Sequence, residues 1–321
     1  MRITSLLFGL AAFMLCTTGH AQKDADKFPN QPVKLIVVYQ PGGANDIVAR
    51  ILADHMSGTL GQQVMVVNKP GAAGAIGAQF VVNSPADGHT VLMGGAPLVV
   101  ARALYKDPAV DFRDSLAPIG KAVNLNMVLV ARNAFPADTF QEMIEIAKDK
   151  PDSVTMAITA STFELFFERV SGLAGVDIMK VPYPGVPAAM NDLNGNRVDL
   201  LIDTVAAQQP FLGTATKALA VFGPQRLASL PDVPTFAELG LKGFNDLPYV
   251  GMLVPKDTPQ ATVQQLNASL NAALADPVVK KKLEDIHFGV ESSTPEAFFD
   301  EMKADSEQWV QIAEQAKIEK K

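Results

Sequence analysis

Two short stretches carry residue types that could hold a ligand. In residues 35–50, LIVVYQPGGANDIVAR, an apolar run stops at Pro41-Gly42-Gly43, and Ile47, Ile51 and Leu52 then recur at helical spacing. A strand, a glycine turn and a helix leave backbone N–H groups free at a positive helix end. Such an end holds a small anion without a basic side chain. Around this turn stand Tyr39, Gln40, Gly43, Ala44, Asn45 and Asp46. A second copy follows in residues 64–82: the strand VMVV, then NKPGAAGAIGA with Ala72, Ala73, Gly74 and Ala75, then a helix. Turns from two neighbouring strands could converge on one carboxylate. The first turn could equally be a plain connection, with Asn45 as an N-cap and Asp46 placed to suit the helix end.

Other chemistries have less to stand on. Glycines at 71, 74 and 77 do not make the G-x-G-x-x-G dinucleotide fingerprint, and no acid lies about 20 residues on. No Gly-Lys-Ser/Thr marks a P-loop. Ser161 lacks a G-x-S-x-G elbow. His55, His89 and His287 lie away from the candidate turns. No HExxH, cysteine pair or EF-hand loop offers a metal site, and no cofactor is implied. A formal charge of −7 and a pI near 5.2 argue against a nucleic-acid partner. Asp203 ends a strand, as a partner for a ligand amine or as a simple turn residue. Tyr183 and Tyr249 read as pocket walls or as packing, and Glu164 as a solvent-facing residue of a helix's first turn.

Strands alternate with helices along the chain. Besides the two units above, strands are expected at 90–93, 126–132, 154–158, 179–182, 198–203, 217–222 and 247–254. Thr139–Glu142 and Thr235–Glu238 read as capping boxes. Thr258-Pro259 and Thr294-Pro295 read as helix starts, and the chain beyond 254 as mainly helical. This alternation predicts an α/β fold on mostly parallel, doubly wound sheets, whose ligands lie outside the carboxyl ends of the strands. The three glycine-bearing turns after 39, 68 and 93 should share that edge. At the N-terminus, Arg2, the apolar run 6–15 and Gly19-His20-Ala21 form a signal peptide (1–21) cleaved after about Ala21, so the chain is exported. Cys16 leaves with it. No later apolar stretch is long enough to span a membrane.

Taken together, these stretches resemble the Bug-type (TctC-like) periplasmic solute-binding proteins of tripartite tricarboxylate transporters. The likeness runs through PVKLIVVYQPGGANDIVAR (32–50), VNKPGAAGAIG (67–77), PADGHTVLMG (85–94), VPYPG (181–185), LPDVPTFAELG (230–240) and GMLVPKDTP (251–259), with 219–221 and Arg226 between. The resemblance implies a two-lobed Venus flytrap of the type II periplasmic binding protein kind, each lobe a mixed sheet flanked by helices. Lobe one would be 22–126 and 248–321, lobe two 127–247. It implies a non-enzymatic, monomeric receptor in the periplasm. A small organic acid or amino acid would be held by the turns 40–46 and 71–76, with Tyr39 beside the first. Lobe two would add Thr159, Ser161, Thr162, Tyr183 and Asp203. The partner would be membrane transporter subunits, or alternatively a sensor kinase; an exported carboxylate-processing enzyme using Ser161, Asp203 or Glu164 is the remoter reading. The chain departs from the family pattern where Ile158-Thr159-Ala160-Ser161, followed by Glu164, replaces a Gly-x-Gly-Ser turn followed by His. Asn45 stands where the family has threonine, and Tyr249 where it has tryptophan.

Overall fold

The computed structural model describes residues 28–241, 248–315 and 318–320; the expected signal peptide lies outside them. The elements in chain order begin with β1 (Val33–Val37), α1 (Ala44–Leu60), β2 (Val64–Asn68), α2 (Ala75–Val82), β3 (Thr90–Gly95) and α3 (Ala96–Leu104). They continue through α4 (Phe112–Ser115), β4 (Leu116–Leu125), β5 (Met127–Arg132), α5 (Phe140–Asp149), β6 (Thr155–Ile158), α6 (Ser161–Ala174), β7 (Met179–Pro182) and α7 (Val186–Asn194). The remainder are β8 (Leu200–Thr204), α8 (Val205–Gln208), β9 (Thr216–Val221), β10 (Tyr249–Pro255), α9 (Gln260–Ala275), α10 (Pro277–Asp285), β11 (Phe288–Val290) and α11 (Pro295–Gln315).

Two mixed sheets result, not the mostly parallel ones expected, because β10 and β5 enter antiparallel to the parallel strands; their orders are β11-β4-β10-β3-β1-β2 and β7-β6-β8-β5-β9. Strand β1 is apolar on both faces because it is covered on both. Leu35 and Val37 pack with Val48, Leu52 and Met56 of α1, while Ile36 and Val38 pack with Ala78 and Val81 of α2. In the second sheet, Val128 and Val130 face Met190 and Leu193 of α7. Leu129 and Ala131 face Phe140 of α5 and Leu165 of α6.

Strand direction decides where a ligand can sit. In the first sheet β1, β2 and β3 run parallel, so their carboxyl ends share one edge. Strand β4 ends there too, because β10 runs antiparallel to both β3 and β4 and begins beside Gly95 and Asn124. In the second sheet β6, β7 and β8 are parallel, and β5 begins opposite Thr204, the last residue of β8. The single residue Asn126 separates β4 from β5. The chain thus leaves one sheet and enters the other at their two carboxyl edges, which face each other across this crossing. The return crossing is bound to it: Leu125 N–H donates to the Pro248 carbonyl at 2.6 Å.

Four details differ from the pattern-based expectation. Helix α1 is capped by Gly43, and Asn45 is its second residue, so the helix starts two residues earlier than expected, after the turn at Gly42 (φ +84°). Thr235 and Glu238 do exchange capping-box hydrogen bonds, at 2.9 and 3.1 Å, but they close a turn and no helix follows. Thr258 spends its hydroxyl on the Pro255 carbonyl, leaving Pro259 at the N-cap of α9. Strands β4 and β11 were not expected. Pro118, Gly120, Lys121 and Asn124 interrupt the apolar pattern of β4, and β11 is only three residues long.

Candidate ligand-binding site

The first turn is built around Asp46, which is 3% exposed. Its carboxylate accepts from the Gly42 N–H at 2.9 Å, from Arg50 at 3.0 and 2.9 Å, and from Asn68 Nδ2 at 2.9 Å. Asn68, the last residue of β2, also donates to the Tyr39 carbonyl at 3.1 Å. One buried acid therefore ties the turn after β1 to the end of β2. Burial works to raise its pKa, but the hydrogen bonds from Arg50, Gly42 and Asn68 outweigh it and hold the carboxyl below its ordinary value. Tyr39 keeps 38% of its surface accessible, yet burial pushes its pKa up to about 12. Gln40 and Gly43 are exposed beside it, and Asn45 is half-buried.

The second turn is strained. Gly71, Ala72, Ala73 and Gly74 all have positive φ, at +126°, +46°, +52° and +94°. For alanine the left-handed region costs about 1–2 kcal/mol per residue. Ala72 and Ala73 are exposed, so no packing of their side chains explains the conformation. Gly74 is buried because α2 starts hard against β1: a Cβ there would lie 3.2 Å from Val38 Cγ2. Ala75 opens α2. A third turn, Gly94-Gly95, leads from β3 into α3, and a Cβ on Gly95 would lie 2.1 Å from the Tyr249 carbonyl of β10.

On the opposite edge, Thr159 and Thr162 flank the start of α6. Thr159 Oγ1 is buried without a hydrogen-bond partner. Thr162 lines a cavity of ≈ 20 Å³ together with Ala96 at the start of α3, so the two sheet edges meet there. The volume suits one water molecule. The Tyr183 hydroxyl donates to Asp192 at 2.8 Å, and burial first, then this bond, push its pKa to about 12. Asp203 is 4% exposed and accepts from Gln208 Nε2 at 3.0 Å and from the Thr204 N–H at 2.7 Å. Burial raises its pKa against both bonds. It is thus an internal group beneath α8. Glu164 does not simply face solvent: Lys180 of β7 holds it at 3.2 Å and binds Glu168 as well. The side chains of Ala44 and Ser161 lie outside the described residues.

A regularity not anticipated from the sequence unites the two edges. Helices α1, α2, α3, α6 and α7, which follow strands ending at the facing edges, have Gly43, Gly74, Gly95, Ala160 and Gly185 as N-caps, and none has a side-chain cap. Helices pointing elsewhere cap themselves: Asp111 caps α4, Thr139 α5, Asp276 α10 and Thr294 α11. The exceptions are α9, capped by Pro259, and α8, capped by Thr204. Free N–H donors and positive helix ends are therefore concentrated at the cleft from both sides. The signal was present in the sequence as glycine or alanine where serine, threonine or aspartate is the usual cap.

A family model described as tripartite tricarboxylate transporter family receptor matches residues 48–317. The chain belongs to this receptor family. Its fold is that of solved members. A structure described as periplasmic binding protein BugD is 35% identical, covers 92% of this chain and 100% of its own, and superposes with a TM-score of 0.80. A Rhodopseudomonas palustris protein solved with adipate is 27% identical, covers 91% and 99%, and has a TM-score of 0.82. The MatC protein of the same organism, solved with bound malate, is 28% identical, covers 89% and 100%, and has a TM-score of 0.75. Like these relatives, this receptor is a two-domain α/β protein with two mixed sheets flanked by helices. Among the described residues no helix is long and apolar enough to cross a membrane, and no cluster of acidic or histidine side chains could hold a metal ion.

Proposed function

We propose that this receptor captures a small carboxylate between two lobes, 22–126 with 248–321 and 127–247, and delivers it to a tripartite tricarboxylate-type membrane transporter. Residues 1–21 direct it to the periplasm and are removed there. The observation that carries the reading is the set of uncapped helix starts on both facing edges. An acid group entering the cleft meets the N–H groups of α1 and α2 at the strained second turn and at Gly43. Its distal end meets the start of α6 and the unpartnered Thr159 hydroxyl. Relatives solved with malate and adipate support a carboxylate of this size. Contacts from both edges are complete only when the lobes close, so ligand favours the closed form. The reading includes no catalytic step: Asp203 and Glu164, the acids nearest the second edge, are engaged by Gln208 and Lys180.

Gly43→Leu tests the site. Gly43 has φ −77°, and a Cβ there meets only the Gln40 carbonyl at 3.5 Å, so the fold accepts a side chain. The leucine would occupy the space through which the acid reaches the α1 N–H groups. Native mass spectrometry of the exported protein names the bound acid, and calorimetry then compares wild type with the variant. An affinity loss of at least about tenfold, roughly 1.4 kcal/mol, with an unchanged melting temperature is expected. Unchanged affinity would remove the first turn from the site.

A further inference from the structure

We propose that Lys180 determines how well the cleft accepts a ligand with a second carboxylate, by cancelling negative charge that α6 itself carries beside the second edge. The inference rests on the carboxylate reading above and adds a residue that touches no ligand. Helix α6 begins without a side-chain cap, and Thr162 at its start lines the cavity between the two edges. A distal carboxylate is drawn to such an end. Yet Glu164 lies in the first turn of this same helix, and Glu168 one turn further. Unneutralised, these acids oppose a second anion at close range and favour a ligand whose far end is uncharged.

The structure answers this with one cation. Lys180 extends from the edge strand β7, two residues before its end at Pro182, and its ammonium contacts both Glu164, at 3.2 Å, and Glu168. The three side chains are 39%, 27% and 20% exposed, so solvent screens the pairs but does not abolish their field. Burial lowers the lysine pKa, and the two carboxylates more than reverse that, so it stays charged. Arg197, beside the turn after β7, is engaged by Asp192 at 2.5 Å, and Arg169, further along α6, by Gln308 of α11. Lys180 therefore governs the local balance between two carboxylates and one ammonium. It acts as a positioning and charge-compensating residue, not as a ligand contact.

The experiment compares a dicarboxylate and a monocarboxylate of the same chain length, adipate and hexanoate or the matched pair that wild type binds most tightly, by calorimetry at low and high salt. Lys180→Met should lower the dicarboxylate affinity about three- to tenfold more than the monocarboxylate affinity, as expected for the loss of one unit charge partly screened by solvent. The triple variant Lys180→Met/Glu164→Gln/Glu168→Gln, whose local charge is 0 against −1 in wild type, should restore the wild-type ratio or move it beyond, toward the dicarboxylate, and high salt should shrink the differences. Should Lys180→Met fail to fold, Glu164→Gln/Glu168→Gln alone should shift the ratio toward the dicarboxylate. An unchanged ratio in folded Lys180→Met, or failure of the triple variant to restore it, overturns the proposal while leaving the carboxylate site standing. Wild type binding no carboxylate overturns both.

Discussion

Asp46 shows how much a single buried acid can organise. It accepts hydrogen bonds from Gly42, Arg50 and Asn68 and so shapes the turn. Asp46→Asn removes the charge that Arg50 complements and leaves Arg50 or the Gly42 N–H poorly matched. A loss of about 2 kcal/mol in stability is expected, read by denaturant titration. The pH dependence has a definite sign. A carboxyl whose folded pKa lies below its unfolded value of about 3.9 stabilises the fold above that value, and the stabilisation is lost as pH falls through the folded pKa. Asp46→Asn should therefore flatten the acid limb of the stability curve and leave the alkaline limb unchanged. The sequence showed Asp46 as suited to a helix end. Its three partners were not legible, because Asn68 lies 22 residues away and is brought in by strand pairing. The sequence left Asp203 open between a ligand-amine partner and a turn residue for the same reason: Gln208 becomes visible as its partner only once α8 folds back over β8.

At the scale of elements, the strand-turn-helix units were readable because β-branched runs end at glycine. The shared edge followed from their alternation. What periodicity could not supply was the direction of β4 and β10, whose antiparallel pairing places the crossings at the carboxyl edge of the parallel strands. Nor could it supply the backbone of Ala72 and Ala73, since alanine rarely adopts positive φ and nothing in its type announces it. The strain implies a trade between stability and binding. Ala73→Gly should relieve about 1 kcal/mol of backbone strain at the cost of added unfolded-state entropy, giving a small net change in melting temperature. Ligand affinity should fall, because the turn loses the rigidity that holds its N–H groups in place. Calorimetry alongside thermal unfolding separates the two effects; an affinity that rises or stays level would show that the strained turn does not organise binding.

Across the whole molecule, the two sheets are joined by apolar packing as well as by the crossings. One apolar cluster runs from Leu98 and Val99 of α3 through Phe166 of α6 to Trp309 and Ile312 of α11. Phe166 and Trp309 meet edge to face at 4.6 Å between ring centroids, and Gln308, with its amide carbonyl toward α6, accepts from Arg169 at 3.0 and 3.3 Å. A packed junction therefore joins the two sheets beside the crossings, and α6 takes part in both the junction and the carboxyl edge of the second sheet. Trp309→Ala should destabilise the protein by about 3–5 kcal/mol and weaken ligand binding without touching the cleft turns. A variant as stable as wild type, measured by chemical unfolding, would show that the junction carries little of the fold. The central claim is that this junction brings together two edges of free helix N–H donors that bind an acid group. It is tested most directly by calorimetric titration of the wild-type receptor with a panel of small carboxylates and their carboxamides. At least one acid should bind with micromolar or better affinity while its amide binds at least about a hundredfold more weakly, a difference of roughly 2.7 kcal/mol. Equal binding of acid and amide, or no binding by any acid, would contradict the account.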